Sequence, residues 1–365
     1  MKLVSPLLKH IVYPGLSKGG YLRRSASTGP TVLTYHGVLP AGYKVVDPAL
    51  DGNLVSTDSF RAQMEFLKNR YNVISPREFL LWCETTHELP PRSVLLTSDD
   101  GLRCSLYDML PVLQEFEFEC LFFVTGASLS HTATMLWYEE LYLMLLVAPA
   151  SFSLELPEIG LRAEVKQQAK RSFWWELVRK LSQFDLNRRR TALERIRMQL
   201  ERSEHWDAEY RNDPVLIRRF LMLPLAELRQ LAQASMCIGA HTLSHPMLSQ
   251  STAEVVWKEI SESKRNLEQA MGQEVWALAY PFGDSSSVTS RELQTAKRAG
   301  FKAAFLNTSG GIGQQTPRFA LPRVHITAAM NLAEFEAHIS GLHRSLHELF
   351  RPTHEKPPMR ITPCV

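Results

Sequence analysis

Short, unbroken apolar runs separated by helical patterns restrict the fold of this chain more than any other feature. Residues 31–35, 93–97, 120–124, 236–240, 275–279 and 302–306 each form such a run. Their hydrophobicity is continuous rather than alternating, the pattern of parallel strands covered on both faces. Between them, residues 58–70, 106–116, 253–271 and 290–299 carry apolar side chains at helical spacing. Asp58 or Ser59 is placed to cap the first of these helices, and Gly300 follows the last as a stop. Strand–helix alternation of this kind predicts an α/β fold, either a barrel or a doubly wound sheet.

Polar clusters sit directly after the predicted strands: Tyr35-His36-Gly37, Ser98-Asp99-Asp100-Gly101, His241 to Pro246, and Tyr280-Pro281-Phe282-Gly283. In a parallel barrel the C-terminal strand ends share one rim, and active sites are built there. The clusters are therefore expected to converge. His241 and His245 are four positions apart and can meet one metal ion if the backbone makes a single turn between them. That spacing alone is cheap, since His343 and His347 share it with no strand before them. Joined by a carboxylate of the Asp99-Asp100 pair, it becomes the donor set of a divalent-metal hydrolase with positions left open for water. The other carboxylate could then act as a base, and Gly101 permits the tight turn that separates the two.

Residues 128–223 break the rhythm and are expected to form a helical insertion. Trp137, Tyr138, Phe173, Trp174 and Trp175 are expected in its core, with lining of a sugar groove as the alternative. The run Arg188-Arg189-Arg190 is expected on a solvated helix face, with contact to anionic lipid or glycan as the alternative. Residues 1–30 read as a docked N-terminal helical segment, 31–350 as the barrel with its insertion, and the proline-bearing residues 351–365 as an extended tail. The 365-residue length suits one large α/β domain or two smaller ones. A net charge of +3 gives no reason to expect nucleic acid. Cys83, Cys104, Cys120, Cys237 and Cys364 are unclustered and odd in number, as expected of reduced thiols. No apolar window is long enough for a membrane span, and the first residues lack the compact apolar region of an export signal. A cytoplasmic location is expected, with peripheral membrane contact allowed.

These motifs resemble those of the polysaccharide deacetylases of the NodB-homology type, a family of carbohydrate esterases, over residues 31–326 apart from the insertion. The family motif T-F-D-D-G is similar to Thr97-Ser98-Asp99-Asp100-Gly101, and H-[ST]-x-x-H-P to His241-Thr242-Leu243-Ser244-His245-Pro246. Tyr280-Pro281-Phe282-Gly283 and Leu321-Pro322-Arg323 complete the set. Thr34-Tyr35-His36-Gly37-Val38 resembles the branch that includes poly-N-acetylglucosamine deacetylases.

The resemblance implies an incomplete (β/α)7-type barrel, here with a helical insertion. It implies that Asp100, His241 and His245 hold a divalent ion, Zn2+ before Co2+, Ni2+ or Mn2+. Asp99 would be the general base and His36 the general acid, with His325 as a rival acid. Tyr280, Pro281, Phe282 and Arg323 would contact substrate. Two positions depart from the family pattern: Ser98 stands where Phe is usual, and Ala279 where an arginine normally orients the base. Arg323 is the candidate replacement if its strand lies adjacent. Pro281 has no N–H, so an oxyanion contact there falls to another group, such as the Tyr280 amide. The implied activity is removal of N-acetyl groups from an amino-sugar polysaccharide, or from its lipid-linked or oligosaccharide precursor, in exopolysaccharide synthesis. A catalytically silent glycan-binding or scaffold barrel and an O-acetyl esterase are the alternatives. The implied partners are the N-acetylated saccharide and, peripherally, a membrane or a polysaccharide synthesis complex.

Overall fold

The computed structural model describes residues 4–23, 29–85, 87–200 and 206–349, so the predicted tail lies outside the described residues. Its central sheet comprises β1 (Thr31–Tyr35), β2 (Asn72–Ile74), β3 (Ser93–Ser98), β4 (Leu121–Val124), β5 (Cys237–Ala240), β6 (Ala277–Ala279), β7 (Ala303–Phe305) and β8 (Val324–His325). The order is β7-β6-β5-β4-β3-β1-β8, with β2 alongside β3. Every pairing in this sheet is parallel. The sheet curls into a half-barrel, an incomplete (β/α)7-type barrel. At its open edge Leu321 donates to the Ala304 carbonyl (3.0 Å) and accepts from the Leu306 amide (2.9 Å), and a few residues later β8 pairs with β1. The stretch from Leu321 to His325 thus spans the gap between β7 and β1.

Both faces of the sheet are buried, as the continuous apolar runs require. Leu33, Leu96, Phe122 and Ile238 pack against the surrounding helices. Their alternate neighbours Val32, Leu95 and Phe123 fill the interior, together with Phe305 of β7 and Phe79 from helix Pro76–Glu84. The predicted strands appear within a residue or two of their expected limits. β2 and β8 were not predicted, because each is too short and too polar to form an apolar run. Helix Thr57–Arg70 is capped by Ser56, not by Asp58 or Ser59: the chain is still extended at Ser56, whose hydroxyl accepts from the Ser59 amide (3.1 Å).

The insertion leaves after β4 and returns before β5. It holds helices Trp137–Leu146, Lys170–Leu181, Leu186–Gln199 and Pro214–Phe220, but it is not wholly helical. Ser151–Leu156 and Leu161–Lys166 form an antiparallel hairpin. Its sequence alternates, with Leu154, Leu156, Leu161 and Val165 buried between polar neighbours, a period of two that identifies strands. The insertion has its own core around Leu141, Trp174, Leu177, Ile196 and Phe220. Arg219, 0% exposed, joins it to the barrel. Its Nε donates to Asp51 Oδ1 (2.7 Å), and its Nη2 donates to Glu139 Oε1 (3.0 Å) and the Leu50 carbonyl (3.1 Å).

The N-terminal segment is helical over 4–18 and docks through Tyr13, whose hydroxyl shares a 2.8 Å hydrogen bond with His343 Nδ1. His338 stacks on His343 with ring centroids 3.8 Å apart. Among the described residues no helix is long and apolar enough to cross a membrane, and Cys83, Cys104, Cys120 and Cys237 are free thiols.

Two predictions follow from these contacts. Arg219→Ala strands two buried carboxylates, and urea unfolding is expected to show a loss of about 3–5 kcal/mol. Burial, then the charge of His343, push His338 from its ordinary 6.5 down to about 3. Between those values the unfolded chain binds a proton that the folded chain refuses, so stability is full above pH 6.5 and declines as pH falls through the window. The contribution is at most about 1.4 kcal/mol per pH unit, and His338→Gln is expected to flatten it in a series of unfolding curves.

Candidate metal centre and active site

The polar clusters converge on the C-terminal rim. The Asp99 amide donates to the Tyr35 carbonyl (2.9 Å), extending the β1–β3 ladder one residue past β3. The chain then turns within three residues: the Gly101 amide donates to the Asp99 carbonyl (2.9 Å), and Asp100 has φ +73°. This turn sends the two carboxylates in different directions. Gly101 also has φ +73°, and a Cβ there would lie 2.9 Å from Val124 Cγ1, so only glycine suits the position. Thr242 (φ +66°), His245 (φ +53°) and Phe282 (φ +61°) are further non-glycine residues in the left-handed region. Such conformations are strained and persist only where the surroundings enforce them.

His241 follows β5 directly, and its Nδ1 lies 2.8 Å from the Ala279 carbonyl. That contact places the proton on Nδ1 and leaves Nε2 as the ligand atom. His245 is brought back by its own amide, which donates to Thr242 Oγ1 (3.1 Å). Asp100 Oδ1 lies 3.5 Å from His241 Nε2 and 3.2 Å from His245 Nε2. One ligand atom from each of the three side chains lies within 4.8 Å of the others, and all three are buried. Asp100 Oδ1 is buried with no hydrogen-bond partner among the described residues. A buried, unpaired carboxylate oxygen facing two imidazole nitrogens fits a divalent ion. Burial would raise the Asp100 carboxyl, but the two histidines outweigh it and hold it well below its ordinary value.

Asp99 points elsewhere. Arg323 Nη1 and Nη2 donate to its Oδ1 (2.7 Å) and Oδ2 (2.6 Å), while Nη1 also reaches Thr97 Oγ1 (3.2 Å) and Nε the Leu306 carbonyl (2.9 Å). Burial pushes the Asp99 carboxyl up, yet Arg323 and then His241 overcome this and keep it below its ordinary value. Arg323 is 1% exposed and committed to these partners. It is therefore not placed to touch substrate as expected, but faces Asp99, because the stretch closing the barrel runs between β7 and β1. Ala279, where the family arginine is missing, is 0% exposed and contributes only its carbonyl, to His241. Ser98 points into the core, its hydroxyl 3.7 Å from Met109 Sδ.

A cavity of about 220 Å³ opens over these groups, lined by His36, Asp99, Asp100, His241 and His245, with Tyr138, Trp174, Trp175 and Phe282 as an aromatic wall. The rings of Tyr138 and Phe282 lie 4.9 and 5.0 Å from that of His245. The insertion aromatics thus serve its core and the cavity wall together. His325 lies beside His36, with ring centroids 4.7 Å apart and the planes tilted by 56°. Burial, then His36, push His325 down to about 3, so it is neutral near pH 7 and a poor proton donor there. Tyr280 does not offer its amide to a substrate, since that N–H donates to the Phe305 carbonyl (3.1 Å) and its hydroxyl to the Phe319 carbonyl (3.1 Å). Pro281 is buried in the turn, whereas Phe282 lines the cavity. Glu139, Asn53 and Asn307 also line it and were not anticipated. Asn307 was within reach, because it follows a predicted strand just as the other clusters do.

A family model described as polysaccharide deacetylase matches residues 198–304, the stretch that holds both histidines. The chain is 24% identical over 116 residues to YxkH of Bacillus subtilis, named as a polysaccharide deacetylase. The match covers 32% of this chain and 40% of YxkH, less than half of that relative. Among solved structures, the Streptococcus pyogenes deacetylase PplD in complex with acetate superposes with a TM-score of 0.55 at 17% identity, covering 86% of this chain and 99% of PplD. A de-N-acetylase from Aggregatibacter actinomycetemcomitans gives 0.52 at 14% identity, covering 85% and 99%. IcaB from Ammonifex degensii gives 0.52 at 17% identity, covering 86% and 97%. At these identities the structural likeness establishes a common fold. Together with the family-model match over residues 198–304, these likenesses show that the chain is similar to polysaccharide deacetylases in sequence over that stretch and in fold.

Ala279→Arg would restore the usual family residue on paper. Here the position is closed and Asp99 already has its guanidinium, so the substitution overpacks the core and buries an unpaired charge. Chemical denaturation is expected to show a loss of several kcal/mol or failure to fold.

Proposed function

We propose that this protein is a metal-dependent hydrolase that removes N-acetyl groups from an amino-sugar saccharide, with Asp100, His241 and His245 as the metal ligands. The observation that carries this reading is the division of labour within one Asp-Asp pair: Asp100 joins the two imidazoles, while Asp99 is held away from them by Arg323. A divalent ion bound there would lower the pKa of a bound water and polarise the acetyl carbonyl as a Lewis acid.

The chain's own residues do the rest. Asp99 stays ionised beside Arg323 and accepts the proton of the attacking water at its carboxylate. His36, on the same cavity, donates a proton to the departing nitrogen. Amide cleavage is preferred over ester cleavage because an amide anion is a very poor leaving group, and a separate proton donor answers that need. Tyr138, Trp175 and Phe282 offer flat apolar faces against which a sugar ring can stack while its hydroxyls remain free to hydrogen-bond. The cavity is smaller than the roughly 300–1,000 Å³ typical of drug-sized ligands, so it takes the reacting residue and leaves the rest of the saccharide outside. Arg323 stands in for the arginine absent at position 279, which weakens the case for a silent binding barrel.

The test is acetate release from a panel of N-acetylated and O-acetylated oligosaccharides, with and without a chelator. Release from the N-acetylated members, lost on chelation, is expected, and Asp99→Asn should lower kcat by about 10²–10⁴-fold while metal remains bound. Turnover that ignores both the chelator and Asp99→Asn would overturn the proposal. Binding without turnover would point to the silent barrel, and release from O-acetyl esters alone to an esterase.

A further inference from the structure

Arg189 lies on the insertion helix Leu186–Gln199, in the middle of the arginine run expected to face solvent. Arg188 and Arg190 are exposed, but Arg189 is 1% exposed. Its Nη1 donates to the Ser244 carbonyl (3.0 Å) and Ser244 Oγ (2.9 Å). Its Nε and Nη2 are fixed by the carbonyls of Leu181 (3.1 Å) and Phe184 (2.8 Å). The guanidinium carbon lies 4.7 Å from the Trp137 ring centroid, and Trp137 Nε1 donates to the carbonyl of His245 itself (3.0 Å). From the barrel side, Glu259 Oε2 accepts from the amides of Leu243 and Ser244 (2.9 Å each), and its Oε1 accepts from the Ser244 hydroxyl. Further along, the Met247 amide donates to Ser182 Oγ (2.9 Å), again on the insertion.

The loop gripped in this way carries both histidines of the candidate metal centre, and Thr242 and His245 within it are in the strained left-handed region. A strained loop holds its shape only while its surroundings enforce it. Metal ligands must be placed within a few tenths of an ångström. Arg189 suits the task because a rigid planar fork can grip a carbonyl and a hydroxyl of one residue while anchored at its other nitrogens, which a lysine cannot do.

We propose that Arg189 is a positioning residue for the metal centre: through it, with Trp137, the insertion holds residues 243–245 in their ligand-bearing shape, so the barrel's affinity for its ion depends on the docked insertion. This inference rests on the metal reading above.

The full-length protein, stripped with chelator, is titrated with Co2+ by visible absorption and with Zn2+ against a chromophoric chelator. Arg189→Met is expected to weaken metal binding by about 10–100-fold, with kcat restored by excess metal and the KM for saccharide unchanged. Arg189→Lys should recover only part of the affinity, Ser244→Ala should weaken it in the same direction, and Arg190→Met should match the unmodified protein. A folded Arg189→Met protein, judged by circular dichroism, with undiminished affinity would overturn the proposal. If that variant does not fold, undiminished affinity in both Arg189→Lys and Ser244→Ala overturns it equally. Failure of the unmodified protein to bind either ion would remove the metal reading and this inference together, whereas tight binding that no variant disturbs removes this inference alone.

Discussion

The candidate site depends on one buried ion pair, the two-pronged contact between Arg323 and Asp99. Asp99 sits at the mouth of a barrel packed with Phe123, Phe305 and Leu95. In such surroundings a lone carboxyl would take up a proton and be useless as a base. The guanidinium reverses that preference, and its planar fork also fixes the direction of both oxygens. Arg323 reaches this place because the sheet does not close by a regular ladder. The chain from Leu321 to His325 crosses from the edge of β7 to that of β1, and that crossing brings the side chain over the interior. The incompleteness of the barrel and the ionisation of Asp99 are linked features.

A second constraint is conformational. Asp100, Thr242, His245 and Phe282 all adopt left-handed backbone angles, and each lies in a cluster that follows a strand. The strands are rigid and paired on both sides, so strain can be held just beyond their ends without spreading. The insertion adds to this rigidity. It carries its own core, binds the barrel through Arg219, and presses Tyr138 and Trp137 against the second histidine. It is therefore part of the wall of the site rather than an appendage.

Much of this was legible in the residues. The strands announced themselves because burial on both faces leaves no room for polar side chains, so each becomes an unbroken run. The polar clusters were legible because their residues follow those runs directly. Where the pattern was weak, reading failed for identifiable reasons. β2 and β8 are too short for a run. The hairpin over 151–166 hid within helical neighbours although its alternation was there to see. Arg189 looked like its exposed neighbours because composition does not show which residue of a run turns inward, and successive side chains on a helix project about 100° apart.

By itself, the sequence determined the parallel α/β architecture, the order of the strands along the chain and the residue types gathered at their ends, since hydrophobic period and turn chemistry are local properties. Only the tertiary structure decided which of those residues face one another. It placed Arg323 on Asp99 instead of substrate, withdrew the Tyr280 amide into a strand pairing, and brought insertion aromatics to the cavity. Those outcomes depend on contacts between segments far apart along the chain, set by how the sheet curls, and no local pattern encodes a distance between such segments.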